Sequence, residues 1–190
     1  MLNLTNFKAY LAKPTNVRFE TQQEGEEIVL LLRRHFITNI SWVVLGLVLL
    51  ALPFLASPLA QLVQVSLSDY LSTQHLFLVT LFYYLLILGY LLEQFLLWYF
   101  SVNIVTDTRL VDVDFTGLLS KVVSEARMSD IQDISIKTTG ALALTFNFGD
   151  LTVQTQGSEP TVEFEDIPDP AGVQKIISAL VQEAKNGGTN

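Results

Sequence analysis

The sequence predicts a membrane-type α-helical hairpin followed by an all-β domain that a C-terminal helix closes. Three observations predict this fold class. Two long apolar runs are almost free of charge, the residues after Phe100 alternate between apolar and polar, and the stretch before the C-terminus has a helical period. At 190 residues the chain can hold one ordinary domain in addition to such a hairpin.

The distribution of charged residues distinguishes these parts of the chain. Half of the residues are hydrophobic, and no charged side chain occurs between His35 and Asp69. Residues 101–190 carry 13 acidic and 6 basic side chains, and they account for −7 of the total charge of −8. The chain contains no cysteine, which excludes a disulfide framework. We therefore expect a membrane segment in the middle and an acidic soluble domain at the end.

Residues 1–35 form the first predicted region. They are long and mixed in charge, unlike the short basic lead of a cleaved signal peptide. We predict a cytoplasmic segment here, followed by a transmembrane hairpin over 36–100 with spans at about 36–56 and 76–98. As a helix the first span would rise ~30 Å, close to the thickness of the hydrocarbon core.

The positions of Lys and Arg predict the orientation of the hairpin. Arg33 and Arg34 precede the first span, and the loop at 57–75 contains no Lys or Arg. Arg109, Lys121 and Arg127 follow the second span. Positive residues stay on the cytoplasmic side. Both termini are therefore predicted to be cytoplasmic, in the cell (inner) membrane. The loop is half apolar, which predicts a short amphipathic helix in the outer interface.

Short strands are predicted from residue 101 onward. Val111, Val113 and Phe115 alternate with Asp112 and Asp114, which is typical of half-buried antiparallel strands. A similar alternation over 141–148 predicts another strand. Turn signals separate the runs, so about seven antiparallel strands are expected, in a small barrel or sandwich.

The acidic residues on these strands have a simple interpretation. Asp112, Asp114, Glu163 and Glu165 alternate with apolar residues, so we expect them to face solvent. A basic partner docking on that face is the alternative. As metal ligands they lack the clustered loop of calcium sites, and no metal is predicted.

The last element is predicted to be a helix. Asp169 can cap it, Pro170 suits its first position, and Gly187 suits its end. Apolar residues recur along one face of it. That stripe is expected to close one end of the strand bundle, which leaves 187–190 as a flexible tail.

The motifs of the second half resemble those of a known family. TDTRL (106–110), a GxL turn (117–119), MSDIQDI (128–134), a TTG turn (138–140), FGDL (148–151) and IPDP (167–170) occur in this order after two apolar spans. In order and spacing the chain resembles the bacterial PH domain 2 family of membrane-anchored proteins, over about residues 24–183. The resemblance implies a PH-like domain, here at 101–186, with two nearly orthogonal antiparallel sheets closed by a C-terminal helix.

Glu93 is a carboxylate inside the second apolar run. It lies about 26 Å along the predicted span, near the cytoplasmic boundary that Arg33 and Arg34 also border. We predict a polar contact between the helices, with Glu93 paired to Arg33 or Arg34 and Gln94 to Asn39. The alternative is a coupling or ion site formed in an oligomer.

Arg109 is a weak candidate for an anion contact. It lies in the first hairpin beside Asp107, which offers one cation next to one anion. Phosphoinositide headgroups need several Lys and Arg, and an acidic domain repels anionic lipid and nucleic acid. The sequence therefore disfavours phosphoinositide-type binding and nucleic acid.

Sequence motifs of enzymes are missing. The chain has no Cys, no Gly-rich phosphate loop and no nucleophile elbow, so neither an enzyme nor a cofactor is predicted. We expect a non-catalytic, membrane-anchored interaction or scaffold module that binds protein partners or self-associates. The alternatives are a lipid or small-anion sensor at the membrane surface, and an accessory subunit of a transport or secretion complex.

Overall fold

The computed structural model describes residues 9–14, 19, 21–62, 72–117, 119–156 and 162–187. It divides into two compact units. The first, Met1–Thr38 with Leu97–Asn190, is called the β-domain below. The second, Asn39–Leu96, is called the helical unit.

Two long helices follow one another in the middle of the chain. A 3₁₀ turn at Phe36–Asn39 leads into α1 (Ile40–Leu62), and α2 covers Thr73–Phe100. Two stretches, Phe36–Leu55 and Thr73–Phe100, are long and apolar enough to cross a membrane. The amphipathic helix predicted for the loop at 57–75 falls largely outside the described residues.

The two helices of the helical unit pack closely. A Cβ atom at Gly46 would collide with the Leu91 side chain, so the absence of a side chain at Gly46 permits the approach. The Tyr83 hydroxyl donates a hydrogen bond of 2.6 Å to the main-chain oxygen of Leu49. This bond satisfies a polar group that would otherwise lie unpaired in an apolar surround.

The β-domain contains a five-stranded antiparallel sheet. Its strands are adjacent in chain order. They are β1 (Tyr10–Ala12), β2 (Ile28–Leu32), β3 (Val102–Thr106), β4 (Arg109–Gly117) and β5 (Ser120–Arg127).

The first two strands come from the N-terminal segment, which extends the predicted domain boundary. The sequence predicts a separate segment at 1–35 and a domain that begins at 101, but β2 pairs with β3 along its length, with Leu31 opposite Ile104. The run IVLLL of β2 is almost wholly buried, because both faces of the sheet are covered here. A strand buried on both faces shows no alternation. The helical hairpin is therefore an insertion between two neighbouring strands of one sheet.

A second, three-stranded antiparallel sheet and a C-terminal helix complete the β-domain. Together with the first sheet they give eight strands among the described residues, against about seven expected. The sheet consists of β6 (Ile131–Lys137), β7 (Phe148–Thr155) and β8 (Val162–Pro168), and the short helix α3 (Ala141–Phe146) and the longer α4 (Pro170–Gly187) flank it.

The α3 segment was expected to be a strand, and that expectation is wrong. Gly140, with φ of +101°, precedes the helix, and Asn147 ends it in the left-handed region with φ of +53°. The N–H of Asn147 donates to the oxygen of Ala143, which closes the last turn. The alternation of apolar residues does not mark a buried strand face here, because Ala143 is the buried residue of α3.

The main core lies between the two sheets and α4. Asp169 precedes α4, and its carboxylate accepts a long hydrogen bond of 3.4 Å from the N–H of Gly172, at the predicted cap position. Of the predicted tail, 188–190 lies outside the described residues, and Gly187 ends α4. The largest fully buried side chains of the core are Phe164, Leu30, Leu32, Leu110, Met128, Ile131, Leu151, Ile167 and Ile177.

Candidate functional site

The two arginines before the first candidate span lie within the β-domain. Arg33 is 4% exposed, and its Cζ atom lies 5.1 Å from the centre of the Tyr99 ring, within cation–π range. The main-chain oxygen of Arg34 accepts a hydrogen bond of 3.1 Å from Trp98 Nε1. The residues just before the first long helix and at the end of the second therefore meet in the β-domain.

The other predicted boundary residues belong to the helical unit. Asn39 Oδ1 accepts a hydrogen bond of 3.0 Å from Trp42 Nε1. Glu93 and Gln94 are half-buried on α2. The contact of Gln94 with Asn39 stays a prediction, as does the pairing of Glu93 with one of the two arginines before the first span.

Arg34 pairs with two carboxylates of the β-domain. Its Nη2 lies 3.0 Å from Asp114 Oδ1 on β4 and 2.6 Å from Glu165 Oε2 on β8. The three side chains are 30%, 27% and 50% exposed, respectively. Arg34 thus links the two sheets where the chain leaves the domain for the first span.

Asp112 lies beside this ion pair, away from the solvent-exposed face that sequence analysis gave it. Alternation along β4 puts Asp112 and Asp114 on the same face as Leu110, which is fully buried, whereas Val111 and Val113 lie on the opposite face. Burial, and then the nearby carboxylate of Asp114, raise the pKa of Asp112 to about 7.

The neighbouring strand β8 carries two further perturbed carboxyls. Burial raises the pKa of Glu165 even though Arg34 opposes the shift, and burial together with Asp150 raises the pKa of Asp166. The cluster therefore gains protons more readily than exposed carboxylates do. Among the described residues, no three Asp, Glu or His side chains are arranged to hold a metal ion.

Arg109 is bound by a second set of carboxylates at the other end of the five-stranded sheet. Its Nε donates to Glu26 Oε1 at 2.9 Å and its Nη1 to Glu125 Oε2 at 2.7 Å. Nη2 donates to Glu26 Oε2 at 3.1 Å and to the main-chain oxygen of Thr21. The ring of Phe19 lies 5.7 Å from its Cζ atom.

This network fixes the charge states of both partners. Burial favours the neutral form of Glu26, but hydrogen bonds from Arg109 and from the N–H of Gln23 outweigh it and lower the pKa of the carboxyl. The Glu26 hydrogen bond raises the pKa of Arg109. A pocket of about 440 Å³ adjoins Arg109, and an anion bound there would have to compete with two carboxylates. The anion contact at Arg109 stays a prediction.

An apolar groove, which sequence analysis did not foresee, lies on the outer face of the five-stranded sheet. It has a volume of about 180 Å³, and Lys121 and Thr21 are its polar lining residues. The rings of Phe100 and Phe115 lie 5.7 Å apart within its lining. The apolar residues that line this outer groove are Phe19, Phe100, Val102, Ile104, Val111, Val113, Phe115 and Val123.

The signal for the outer groove was present in the alternation of β3 and β4. Val102 and Ile104 on β3 and Val111 and Val113 on β4 all point to one side, opposite Leu110. The apolar character of this side predicts that it faces the core. Only the structure shows that both sides of the sheet are apolar.

Comparisons with known proteins address the fold. The family model described as bacterial PH domain matches residues 27–181, which confirms the resemblance and the PH-like all-β architecture. A DUF1696 family protein with a pleckstrin-homology domain from Shewanella loihica PV-4, of known structure, is 20% identical with a TM-score of 0.34, over 43% of this chain and 70% of that one. No curated protein matches the chain.

Proposed function

Because the chain belongs to the bacterial PH domain family, we propose that it is a non-catalytic interaction module that two helices anchor in a membrane. Its partner is an apolar segment of another protein chain, which docks in the outer groove. The observation that carries this proposal is the apolar lining of the outer groove on a face that neither the second sheet nor α4 covers.

The composition and position of the outer groove favour a protein segment. Its walls include Phe19, Phe100 and Phe115, and aromatic side chains in a pocket are typical anchors of protein interfaces. The groove extends to Val123 on β5, which is an edge strand of the sheet. Such an edge offers unpaired backbone groups beside the groove, so an extended segment gains main-chain hydrogen bonds as well as apolar contact.

Charge favours a protein partner over an anionic headgroup. Only Asp69 and Glu93 of the 19 acidic and 11 basic side chains lie outside the β-domain, which therefore carries a net charge of −6. Two of its arginines, Arg34 and Arg109, are each paired with two carboxylates. A sensor of anionic lipid would need free cations in excess.

Among the described residues, the position of Asp112 supports the non-catalytic part of the proposal. Asp112, with a pKa near 7, is the kind of group that acid–base catalysis uses. It lines neither the outer groove nor the pocket beside Arg109. The charged groups near Asp112 are Asp114, Arg34 and Glu165 of the inter-sheet ion pair, and this position supports a structural role.

The membrane anchor is proposed to have both termini in the cytoplasm. Its support is the length and apolarity of the two helices and the concentration of Lys and Arg in the β-domain. Because the chain has no Cys, single cysteines at Ser72 and Gln154 test the orientation with an impermeant maleimide. In intact cells we expect labelling at position 72 alone, and labelling at 154 alone would reverse the proposal.

Two neighbouring valines of β5 provide a matched test of the outer groove. Val123 is opposite Val113 and lies in the groove, whereas Val122 is opposite Asp114 and faces the other side of the sheet. Both are exposed, Val123 by 42% and Val122 by 49%. A photo-crosslinking residue placed at either position of the full chain therefore differs only in the face that it presents.

We expect a defined crosslinked protein in native membranes from position 123, and none from position 122. Mass spectrometry of the adduct identifies the partner peptide, and a second copy of this chain would show self-association. Val113→Glu in the same chain should remove the adduct, because it places a charge in the outer groove. Equal adducts from both positions, or none from 123, would refute the groove as the docking site.

A further inference from the structure

The short helix α3 presents three large apolar side chains to solvent. Leu142, Leu144 and Phe146 are 52%, 72% and 48% exposed. No residue from 138 to 149 is charged. The Thr145 hydroxyl, the polar side-chain group of α3, donates a hydrogen bond of 2.7 Å to the main-chain oxygen of Ala141 within the same helix.

Contacts within the β-domain fix the position of α3. Its buried residue Ala143 forms a small apolar cluster with Ile37 and Phe148. The imidazole of His35 stacks on the Phe148 ring at a centroid distance of 5.0 Å. The N–H of His35 donates to the main-chain oxygen of Asp166 on β8 at 2.8 Å, which ties the chain to the domain at this point.

This cluster places α3 at the start of the first candidate span. The span runs from Phe36 to Leu55, so Ile37 is its second residue. Phe36 is itself 62% exposed. A helix that packs against Ile37 lies within about one side-chain length of the depth at which the chain enters the bilayer, since a helical residue advances ~1.5 Å along the span.

We infer that α3 is a third membrane contact, in which Leu142, Leu144 and Phe146 enter the interfacial layer of the bilayer at the depth of Ile37. The occupant of this surface is lipid acyl chain and glycerol backbone. Removing an uncharged stretch from water costs little free energy, and burial of its apolar side chains is favourable. This inference rests on the membrane anchor of the proposed function and is independent of the outer groove.

The test uses the full chain in liposomes of neutral lipid without other proteins. Single cysteines replace Leu144, Gln154 and Leu85, and each carries the environment-sensitive dye NBD. Gln154 is an exposed control on β7, about 20 Å along the strand from Phe148. Leu85, 56% exposed on α2, reports on the membrane anchor itself.

With lipids that carry a quencher near the glycerol backbone, we expect blue-shifted emission and several-fold stronger quenching at position 144 than at 154. Position 85 should be quenched by lipids labelled deep in the acyl chain. Quenching at 85 with none at 144 would overturn the role of α3 and leave the anchor intact. No quenching at 85 would overturn the anchor, and the inference with it.

Discussion

The two faces of the five-stranded sheet are both apolar, but different elements cover them. The face that carries Leu110 packs against the second sheet and α4, and its central side chains are fully buried. The face that carries Val111 packs against Leu11 and Phe19 from the N-terminal segment. Among the described residues, this cover leaves the outer groove open. Cover by other elements, and not apolar character alone, decides which face is core and which is a contact surface.

Truncation of one phenylalanine on each side of the sheet should give the largest difference in stability between the two faces. Phe164→Ala removes a fully buried ring from the main core, and we expect it to destabilise the β-domain by about 4 kcal/mol. Phe115→Ala, at the outer groove, should cost only about 1 kcal/mol because the ring is already partly solvated. Hydrogen exchange of the β7 amides measures both free energies. Equal losses would mean that the outer face is a core as well.

The cover of the outer face depends on Arg109. Its replacement should give the next largest change in stability. Arg109→Ala would leave the Glu26 side chain, 1% exposed, without its cation, and should destabilise the β-domain by about 3 kcal/mol. It should also release Phe19 from the outer groove. Arg127, the exposed cross-strand neighbour of Arg109, is the control. Arg127→Ala should change stability by less than about 0.5 kcal/mol.

The half-buried carboxyl of Asp112 predicts a smaller, pH-dependent effect on stability. The pKa of Asp112 is about 7 in the folded chain, against an ordinary value of 3.8. Between these values the folded chain binds the proton more tightly than the unfolded chain, so stability falls as the pH rises from about 4 to 7.

Asp112→Asn should remove this loss of stability at high pH, because the amide does not ionise. In urea denaturation followed by circular dichroism, we expect the variant to be nearly equal in stability to the wild type at pH 4 and more stable by about 2 kcal/mol at pH 8. This is about half of what the pKa shift alone corresponds to, because water screens a half-buried carboxylate. Asp133→Asn, at an exposed carboxylate of β6, is the control for the loss of one negative charge. A flat wild-type profile would show that Asp112 is solvated, as its alternation with valines first suggested.

Much of the fold could be predicted because it depends on local patterns. The two long helices follow from uncharged apolar runs, and α4 follows from its apolar stripe and the Asp169–Pro170 start. The order of turn motifs was sufficient to recognise the family. These features need no knowledge of which segments meet in space.

The remaining features depend on contacts between distant segments. Ile28–Leu32 becomes a strand because residues 102–106 pair with it across the helical insertion. Asp112 lies close to Arg34, some 80 residues away in sequence, because Arg34 pairs with its neighbour Asp114. The outer groove exists because Phe19 covers only part of an apolar face. No periodicity within one segment encodes such contacts.

Two substitutions on β5 should change stability least, and they test most directly which face of the sheet binds the partner. Val123→Glu and Val122→Glu place the same charge at adjacent exposed positions of β5, so each should alter the free energy of unfolding by less than about 1 kcal/mol. Only Val123→Glu puts the carboxylate in the outer groove, where a docked apolar segment would have to bury it at a large cost. We therefore expect Val123→Glu to abolish copurification of the partner identified by crosslinking, and Val122→Glu to retain it. Loss in both variants would point to the β5 edge itself as the binding element, because a charge on either side of the strand would then interfere with a segment paired to its backbone.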